Sequence, residues 1–406
     1  HHHHWCCLRT HHRQALMTRR RVAVTGLGVV STCGVGTDAF WDGLCGPAPE
    51  GDRLVPDFDP SLWFENPKEA RRSDRCTQFA LAAADMALEQ AGELTGDPTR
   101  RGVFIGTGIG GIQTLEDQIL VMSEKGPRRV SPFLIPMMMP NAAPAAVSMR
   151  HGFQGPAENT CTACAAGTHA LANAARLVAH ERCDVVLAGG SEAPFVDAAM
   201  AGFTNMTAFS SAGISRPFDA GRDGFVMGEG AGVLVLEDWD TAEARGATIL
   251  AEILGGASTA DAHHITAPSP GGMGAINCMR LALEEAGVEP ADVTHVNAHG
   301  TSTPLNDMAE AVAMQAVFGE NGPKVTSTKG ITGHALGAAG AIEAVAVVMA
   351  MQKGLIPPTA GYRTPDPEMP TIDIVAGEPA PWTPGVSMSN SFGFGGHNGS
   401  LVIGPA

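Results

Sequence analysis

Four segments of this chain place reactive side chains among small residues, each at the end of a predicted element. The first is Asn159 to Gly167 (NTCTACAAG). Cys161 and Cys164 form a CxxC there, which can mean a redox pair or two structural thiols sharing a turn. A third reading rests on the amphipathic run AAGTHALANAARLVAH that follows Cys164. A thiol at the start of such a helix meets the positive end of the dipole and free N–H groups, both of which favour thiolate. The second segment, Val296 to Pro304 (VNAHGTSTP), sets His299 at a glycine turn after a short strand. The third, Ser327 to Gly340 (STKGITGHALGAAG), spaces Lys329 and His334 five residues apart, ahead of a helix carrying Glu343. It is no P-loop, because the order GxxxxGK[ST] is absent. The fourth, Asn390 to His397 (NSFGFGGH), is a glycine turn able to expose backbone N–H groups, or else a plain bulge. Thiol nucleophile, two imidazoles, an amine and an N–H turn together make the inventory for acyl transfer.

Strands and helices must bring these segments together. Apolar patterning predicts strands at 21–30, 103–105, 184–188 and 233–236, with helices at 77–91 and 165–180. The stretch 125–144, rich in Pro and Met, is too broken for one regular element, and a long polar connection runs to Asp223. The second half predicts strands at 249–254, 295–297 and 324–327, then glycine-rich strands within 386–403. Its helices are expected at 273–286, from Asp307, and at 339–351. Alternation at this spacing predicts an α/β fold with largely parallel, buried sheets. The matched order hints at a duplicated unit, with residues 18–250 as one half and 251–406 as the other, packed as one body.

Bulk properties agree with a globular protein. The chain has 406 residues, 44% hydrophobic and 17% charged, with a formal net charge of −16. That balance argues against general nucleic-acid binding, which needs clustered Lys and Arg. Runs such as 341–351 are short for a membrane span and read as buried helix. Residues 1–17 look foreign: His1–His4, Trp5, Cys6 and Cys7 read as a tag or disordered extension, with Met17 as the native start. Nine cysteines spread over a chain with no secretion signal suggest reduced thiols and a cytoplasmic protein.

TACAAG, NAHGTSTPLND, STKGITGHALGAAG and NSFGFGGHN occur in the order in which the β-ketoacyl-acyl carrier protein synthases carry them. From about Arg21 to Gly404 the chain resembles these condensing enzymes of the thiolase superfamily, most closely the KAS II type. The resemblance implies a thiolase-like layered αβαβα fold and decarboxylative Claisen condensation of malonyl carrier with a cysteine-bound acyl chain. Cys164 is then the nucleophile, and His299 and His334 promote decarboxylation. Lys329 supports the site, with Glu343 as the carboxylate beneath it. Thr301 and Thr303 hold the phosphopantetheine arm. The N–H groups of Cys164 and Phe394 form an oxyanion hole, Phe392 and Phe394 gate acyl entry, and Ile109 lines the acyl tunnel. Neither metal nor organic cofactor is implied beyond the phosphopantetheine that arrives on the carrier.

The implied partners are an acyl carrier protein and a second copy of the chain. Lys68, Arg71, Arg72, Arg128 and Arg129 match the family's surface for an acidic carrier, although each also reads as ordinary solvated charge. Thr207 departs from the pattern, standing where relatives often carry an arginine. A ketosynthase of a polyketide or other secondary pathway shares the mechanism. A chain-length-factor-like partner subunit would lack the active cysteine, and His334 argues against the Cys-His-Asn and Cys-His-Cys relatives.

Overall fold

The computed structural model describes residues 19–406; the N-terminal extension expected over residues 1–17 lies outside the described residues. Nine principal strands can be named in chain order: β1 (Val22–Ser31), β2 (Arg101–Gly106), β3 (Val185–Glu192), β4 (Gly230–Asp238), β5 (Ala251–Ala260), β6 (Val293–Asn297), β7 (Lys324–Thr326), β8 (Val386–Gly393) and β9 (His397–Pro405). The helices that matter most are α1 (Arg75–Ala91), α2 (Ala166–Ala179), α3 (Met273–Ala286), α4 (Pro304–Phe318) and α5 (Ala339–Lys353).

The strands form one 12-stranded sheet, in the order Asp373–Ile374, β7, β6, β8, β9, β5, β1, β4, β3, β2 and Ala157–Glu158, with Gly34–Val35 folded back on β1. This order reads the same from the centre outwards in both directions: first strand, last strand, next-to-last, second. The halves meet where β1 and β5 pair antiparallel through Val22–Ile253, Ala23–Glu252 and Val24–Ala251. Every residue of β1, β3 and β4 is buried, as expected of Val- and Leu-rich strands covered on both faces.

The α/β class and its layers agree with the reading of the sequence, but the expectation of largely parallel pairing does not hold. Pairing is parallel among the outer strands and antiparallel at the centre. The reason lies in the connections. The last strand of each half returns beside the first, and β8 reaches β9 through Phe394, Gly395 and Gly396 alone. So short a turn permits only a hairpin, and φ of 84° and 75° at Gly395 and Gly396 demands glycine there.

Helix α1 covers β1, β4 and β3 on one outer side, while α3, backed by α4, covers β5 and β9 on the other. Helices α2 and α5 touch each other and strands of both halves, and so form the shared central layer. Close approach is possible because the contact is lined with glycine. A Cβ on Gly340 would fall 2.1 Å from Thr168 Oγ1, and one on Gly167 would fall 2.9 Å from Ala341 N. The segment Leu336–Lys353 is long and apolar enough to cross a membrane, but 89% of it is buried among these layers.

Sequence patterning missed several helices. Ile112–Lys125 has no counterpart among the expected elements, Leu134–Met138 lies within the stretch 125–144 read as irregular, Ala142–His151 begins at its end, and Asp197–Asn205 lies within the polar connection. Helix α4 begins at Pro304, earlier than Asp307, because proline suits the first helical position.

Candidate active site

Helices α2 and α5 begin side by side, and the loops entering them carry Cys164 and His334. Cys164 lies in a tight turn, Ala163–Ala165, immediately ahead of α2. Ala163 has φ 52°, a left-handed conformation uncommon for a residue with a side chain. The opposite wall is the β8–β9 hairpin. A Cβ on Gly393 would come within 2.9 Å of Cys164 N, so only glycine lets the hairpin approach this closely. The N–H groups of Phe394 and of Cys164 itself both donate toward the sulfur.

Cys164, His299, His334, Thr301, Thr303, Phe392 and Phe394 line one cavity of 370 Å³. The two imidazole rings lie 5.2 Å apart at 86°, and His299 stands 6.1 Å from the Phe392 ring. Thr301 and Thr303 share a hydroxyl contact of 2.9 Å. Lys329 and Glu343 lie beneath the cavity. The Lys329 ammonium donates to Glu343 Oε2 at 2.8 Å and to the His299 carbonyl at 2.7 Å. Ile109 does not line this cavity; it packs with Phe195, Met200 and Phe203 in an apolar cluster around Cys164.

Burial governs the electrostatics. His299 and His334 are both held well below the ordinary histidine value, by burial first and by the Lys329 charge second. They are therefore neutral N–H donors. Glu343 rises to about 7 because burial outweighs Lys329. The expectation that Cys164 favours thiolate is not met: burial pushes its thiol up to about 11, against the opposing Phe394 N–H and Lys329. Magnitudes explain the outcome. A helix N-terminus contributes about 0.3–1 kcal/mol, less than one pKa unit, whereas full burial shifts a group by up to about 3–5 units.

The redox reading of the CxxC finds no support in the geometry. Cys161 is exposed and Cys164 buried, both as free thiols, and Cys161 donates to Gly108 O at 3.4 Å.

Lys68, Arg71, Arg72, Arg128 and Arg129 are exposed and none lines the cavity. Arg72 lies over the Phe133 ring at 4.3 Å. Thr207 is at the cavity wall, with φ 58°.

Three buried residues escaped the sequence reading. Glu310 on α4 accepts the His299 and Gly300 N–H groups, each at 2.7 Å. Glu192 at the end of β3 accepts Thr107 Oγ1, Gly108 N, Ile109 N and Gly337 N, tying the Ile109 loop to the approach of α5. Arg53 donates to Ile331 O at 2.9 Å and Gly330 O at 3.1 Å, under the turn between Lys329 and His334. A single charged side chain leaves no periodic signal of its own, so only the tertiary fold reveals what Glu192, Glu310 and Arg53 hold.

A buried thiol with paired neutral imidazoles and two N–H groups aimed at the sulfur defines a site built for thioester chemistry. The chain belongs to the β-ketoacyl synthase family: the family's N-terminal domain matches residues 52–242 and its C-terminal domain residues 250–363. It is 44% identical to the 3-oxoacyl-[acyl-carrier-protein] synthase 2 of Synechocystis sp., over 96% of this chain and 99% of that protein. It is also 44% identical to the protein of that name from Staphylococcus aureus, over 95% and 98%. Among solved structures, a β-ketoacyl synthase from Burkholderia phymatum superimposes with a TM-score of 0.88 at 32% identity, over 95% of this chain and all (100%) of that one. A type II PKS acyl-carrier protein in complex with its ketosynthase gives a TM-score of 0.88 at 33% identity, over 96% and 100%.

Proposed function

We propose that the protein is a 3-oxoacyl-[acyl-carrier-protein] synthase that extends fatty acyl chains by decarboxylative condensation. The observation that carries this reading is the meeting of Cys164, His299 and His334 at one cavity lined also by Thr301 and Thr303. In the first half-reaction Cys164 Sγ attacks the acyl carrier thioester. The Sγ–acyl bond forms, the bond between the acyl carbon and the pantetheine sulfur breaks, and the thiol proton leaves with the pantetheine sulfur. In the second, malonyl carrier loses CO₂. The negative charge that develops on its thioester oxygen is met by the N–H groups of His299 and His334, donors worth roughly 3–4 kcal/mol each when aimed at such an oxygen. The carbanion attacks the acyl carbon, whose oxygen rests on the N–H groups of Cys164 and Phe394, and Cys164 departs as thiolate to recover a proton. In this reading Phe392 and Phe394 gate acyl entry, and Ile109, in the apolar cluster with Cys164, meets the acyl chain. No metal or organic cofactor enters these steps.

The partners in this reading are an acyl carrier protein in its acyl and malonyl forms and a second copy of the chain. Lys68, Arg71, Arg72, Arg128 and Arg129 steer the carrier at a distance, as exposed like charges can. Fatty acid elongation is preferred over a polyketide pathway because identity reaches 44% with the synthase 2 proteins and 33% with the type II PKS ketosynthase. Presence of Cys164 argues against a non-catalytic partner subunit.

Mass-spectrometric acylation and condensation with carrier-linked acyl chains of graded length tests the proposal. Acylation of Cys164 followed by 3-ketoacyl product over a range of long saturated chains is the expected result. Extension of one unusual acyl group only would move the protein to a specialised pathway. Condensation that survives Cys164→Ala would overturn the mechanism.

A further inference from the structure

His169 lies on the first turn of α2, a few positions beyond the nucleophile, and no step of the condensation uses it. It is 4% exposed, and both ring nitrogens are engaged. Nε2 lies 2.8 Å from the Asn398 carbonyl on β9, and Nδ1 lies 2.7 Å from Thr162 Oγ1 in the loop entering Cys164. These contacts fix the ring's proton. A carbonyl oxygen only accepts, so Nε2 carries the hydrogen and donates it, and Nδ1 accepts from the Thr162 hydroxyl. Burial holds the imidazole below the ordinary histidine value, so at neutral pH it has no second proton to turn Nδ1 into a donor.

The two partners belong to the two sides of the thiol. Between Thr162 and Cys164 stands Ala163, whose φ of 52° is a strained conformation that persists only where surrounding contacts enforce it. Asn398 pairs with Phe392 across the β8–β9 hairpin, and the turn of that hairpin carries Phe394. Neighbouring contacts hold α2 to the same hairpin. Thr168 Oγ1 and Ser391 Oγ are 2.8 Å apart, and a Cβ on Gly399 would fall 3.0 Å from His169 Cδ2, so the ring rests directly on β9. Thr168 thus ties the helix to the hairpin, and His169 ties the loop ahead of the thiol to it as well.

We propose that His169 is a positioning residue that sets the separation of the Cys164 and Phe394 N–H groups, by bridging the nucleophile loop to the β8–β9 hairpin. It does not line the cavity and acts through Thr162 and Asn398. The inference rests on the condensing function proposed above and deepens it: His169 serves the acyl oxygen, as His299 and His334 serve the malonyl oxygen. That division has a kinetic consequence. The acyl oxygen leans on the Cys164 and Phe394 N–H groups when Cys164 attacks the incoming thioester, and again when the carbanion attacks the acyl-cysteine. Loss of CO₂ from the malonyl group leans on the two other imidazoles. A displacement of about 1 Å in a positioned group costs on the order of 10²-fold in rate, so a slackened bridge slows acyl transfer and spares decarboxylation.

Two variants test this. His169→Phe keeps an aromatic ring without either polar contact, and Thr162→Val removes one hydroxyl at nearly constant shape. Single-turnover acylation of Cys164 by a carrier-linked long saturated chain is measured beside CO₂ release from malonyl carrier supplied alone. Acylation is expected to fall about 10²-fold in His169→Phe and about tenfold in Thr162→Val, as on losing one hydrogen bond. Decarboxylation should stay within a few-fold of the unaltered protein in both, the reverse of the pattern expected on losing His334. His169→Gln, whose amide offers a donor for the Asn398 carbonyl, should recover part of the acylation rate. Unchanged acylation in Thr162→Val would overturn the proposal, and that measurement holds even where His169→Phe does not fold. Equal loss of acylation and decarboxylation, in step with the folded fraction, would also overturn it, by assigning His169 to the fold alone. Failure of the unaltered protein to acylate Cys164 from any carrier-linked chain would count against the condensing function itself, a result distinct from these.

Discussion

Lys329 Nζ lies 3.4 Å from His299 Nδ1 while donating to the His299 carbonyl at 2.7 Å and to Glu343 at 2.8 Å. An ammonium offers donors only. Nδ1 facing it must therefore accept, which leaves the His299 proton on Nε2, the ring nitrogen remote from Lys329. The lysine acts through the histidine, by fixing which nitrogen carries the proton.

Lys329→Met should thus release the tautomer while leaving the thiol in place. Nitrogen NMR of labelled histidine is expected to report Nε2–H for His299 in the unaltered protein and a mixture in the variant. Malonyl decarboxylation should fall by about 10²-fold or more, as on losing an oxyanion donor. A unique Nε2–H tautomer in the variant would remove the lysine from this role.

His334 has no such support. Its Nδ1 is buried without a hydrogen-bond partner among the described residues, its backbone is pinned between Val226 O and Gly228 N, and its ring meets Phe225 at 5.2 Å. Packing alone orients it. His334→Ala is expected to keep acyl loading of Cys164 within a few-fold and to suppress decarboxylation by about 10²–10³-fold. Single-turnover measurement of the two half-reactions distinguishes this from equal loss of both, which would end the division of labour.

Cys164 is a thiol at neutral pH, since burial raises it to about 11. Alkylation by a small neutral reagent should therefore be slow near pH 7 and climb through pH 9 without levelling off, followed by peptide mass spectrometry. A plateau already reached at pH 8 would mean that the N–H groups and Lys329 overcome desolvation.

How much of this was legible in the chain depends on the range of the interactions. Cys164, His299 and His334 each stand beside small residues at the edge of an expected element, which marked them as candidates, and the order of the four motifs, not any one segment, joined them into a site. The glycines of the Phe394–Gly396 turn were legible for the same reason. The sulfur's protonation was not, because it depends on Phe225, Met227 and Leu336 packed around it. Nor was antiparallel pairing at the centre of the sheet, which follows from where β4 and β9 return. Glu310 could not be assigned from spacing: only the start of α4 folding back beneath His299 gives its carboxylate two N–H partners.

Glu310 carries a pH dependence of its own. Burial outweighs those two N–H donors and raises it from the ordinary 4.5 to about 8. The folded state thus binds this proton more tightly than the unfolded chain does. The resulting stability is fully present below about pH 4.5 and is lost as pH rises through about 8. Melting temperature should fall between pH 6 and 9 (values about these pKa limits), and Glu310→Gln, which cannot ionise, should flatten that fall while lowering stability throughout. Gln offers one acceptor where two N–H groups need one each. Parallel slopes for both proteins would assign the pH dependence elsewhere.

Arg53 offers the most demanding test, because nothing about it resembles an active-site residue. It is 1% exposed, forms no ion pair among the described residues, and spends its donors on the carbonyls of Gly51, Gly330 and Ile331. A Cβ on Gly333 would fall 2.7 Å from Arg53 Cγ, so the arginine stem sets the height of the turn that carries Lys329 at one end and His334 at the other. Its backbone N–H donates to Met227 O, and Gly228 N–H donates to His334 O, so Val226–Glu229 is clasped between Arg53 and the histidine. Arg53→Met leaves buried carbonyls unpaired, at about 1–3 kcal/mol for each one left bare, and frees the turn to move. Folded Arg53→Met protein should load Cys164 at close to the normal rate and decarboxylate malonyl thioester at least tenfold more slowly, with Arg53→Lys between the two. Should both half-reactions decline together, in step with the folded fraction measured by circular dichroism, Arg53 holds up the fold and has no part in placing His334.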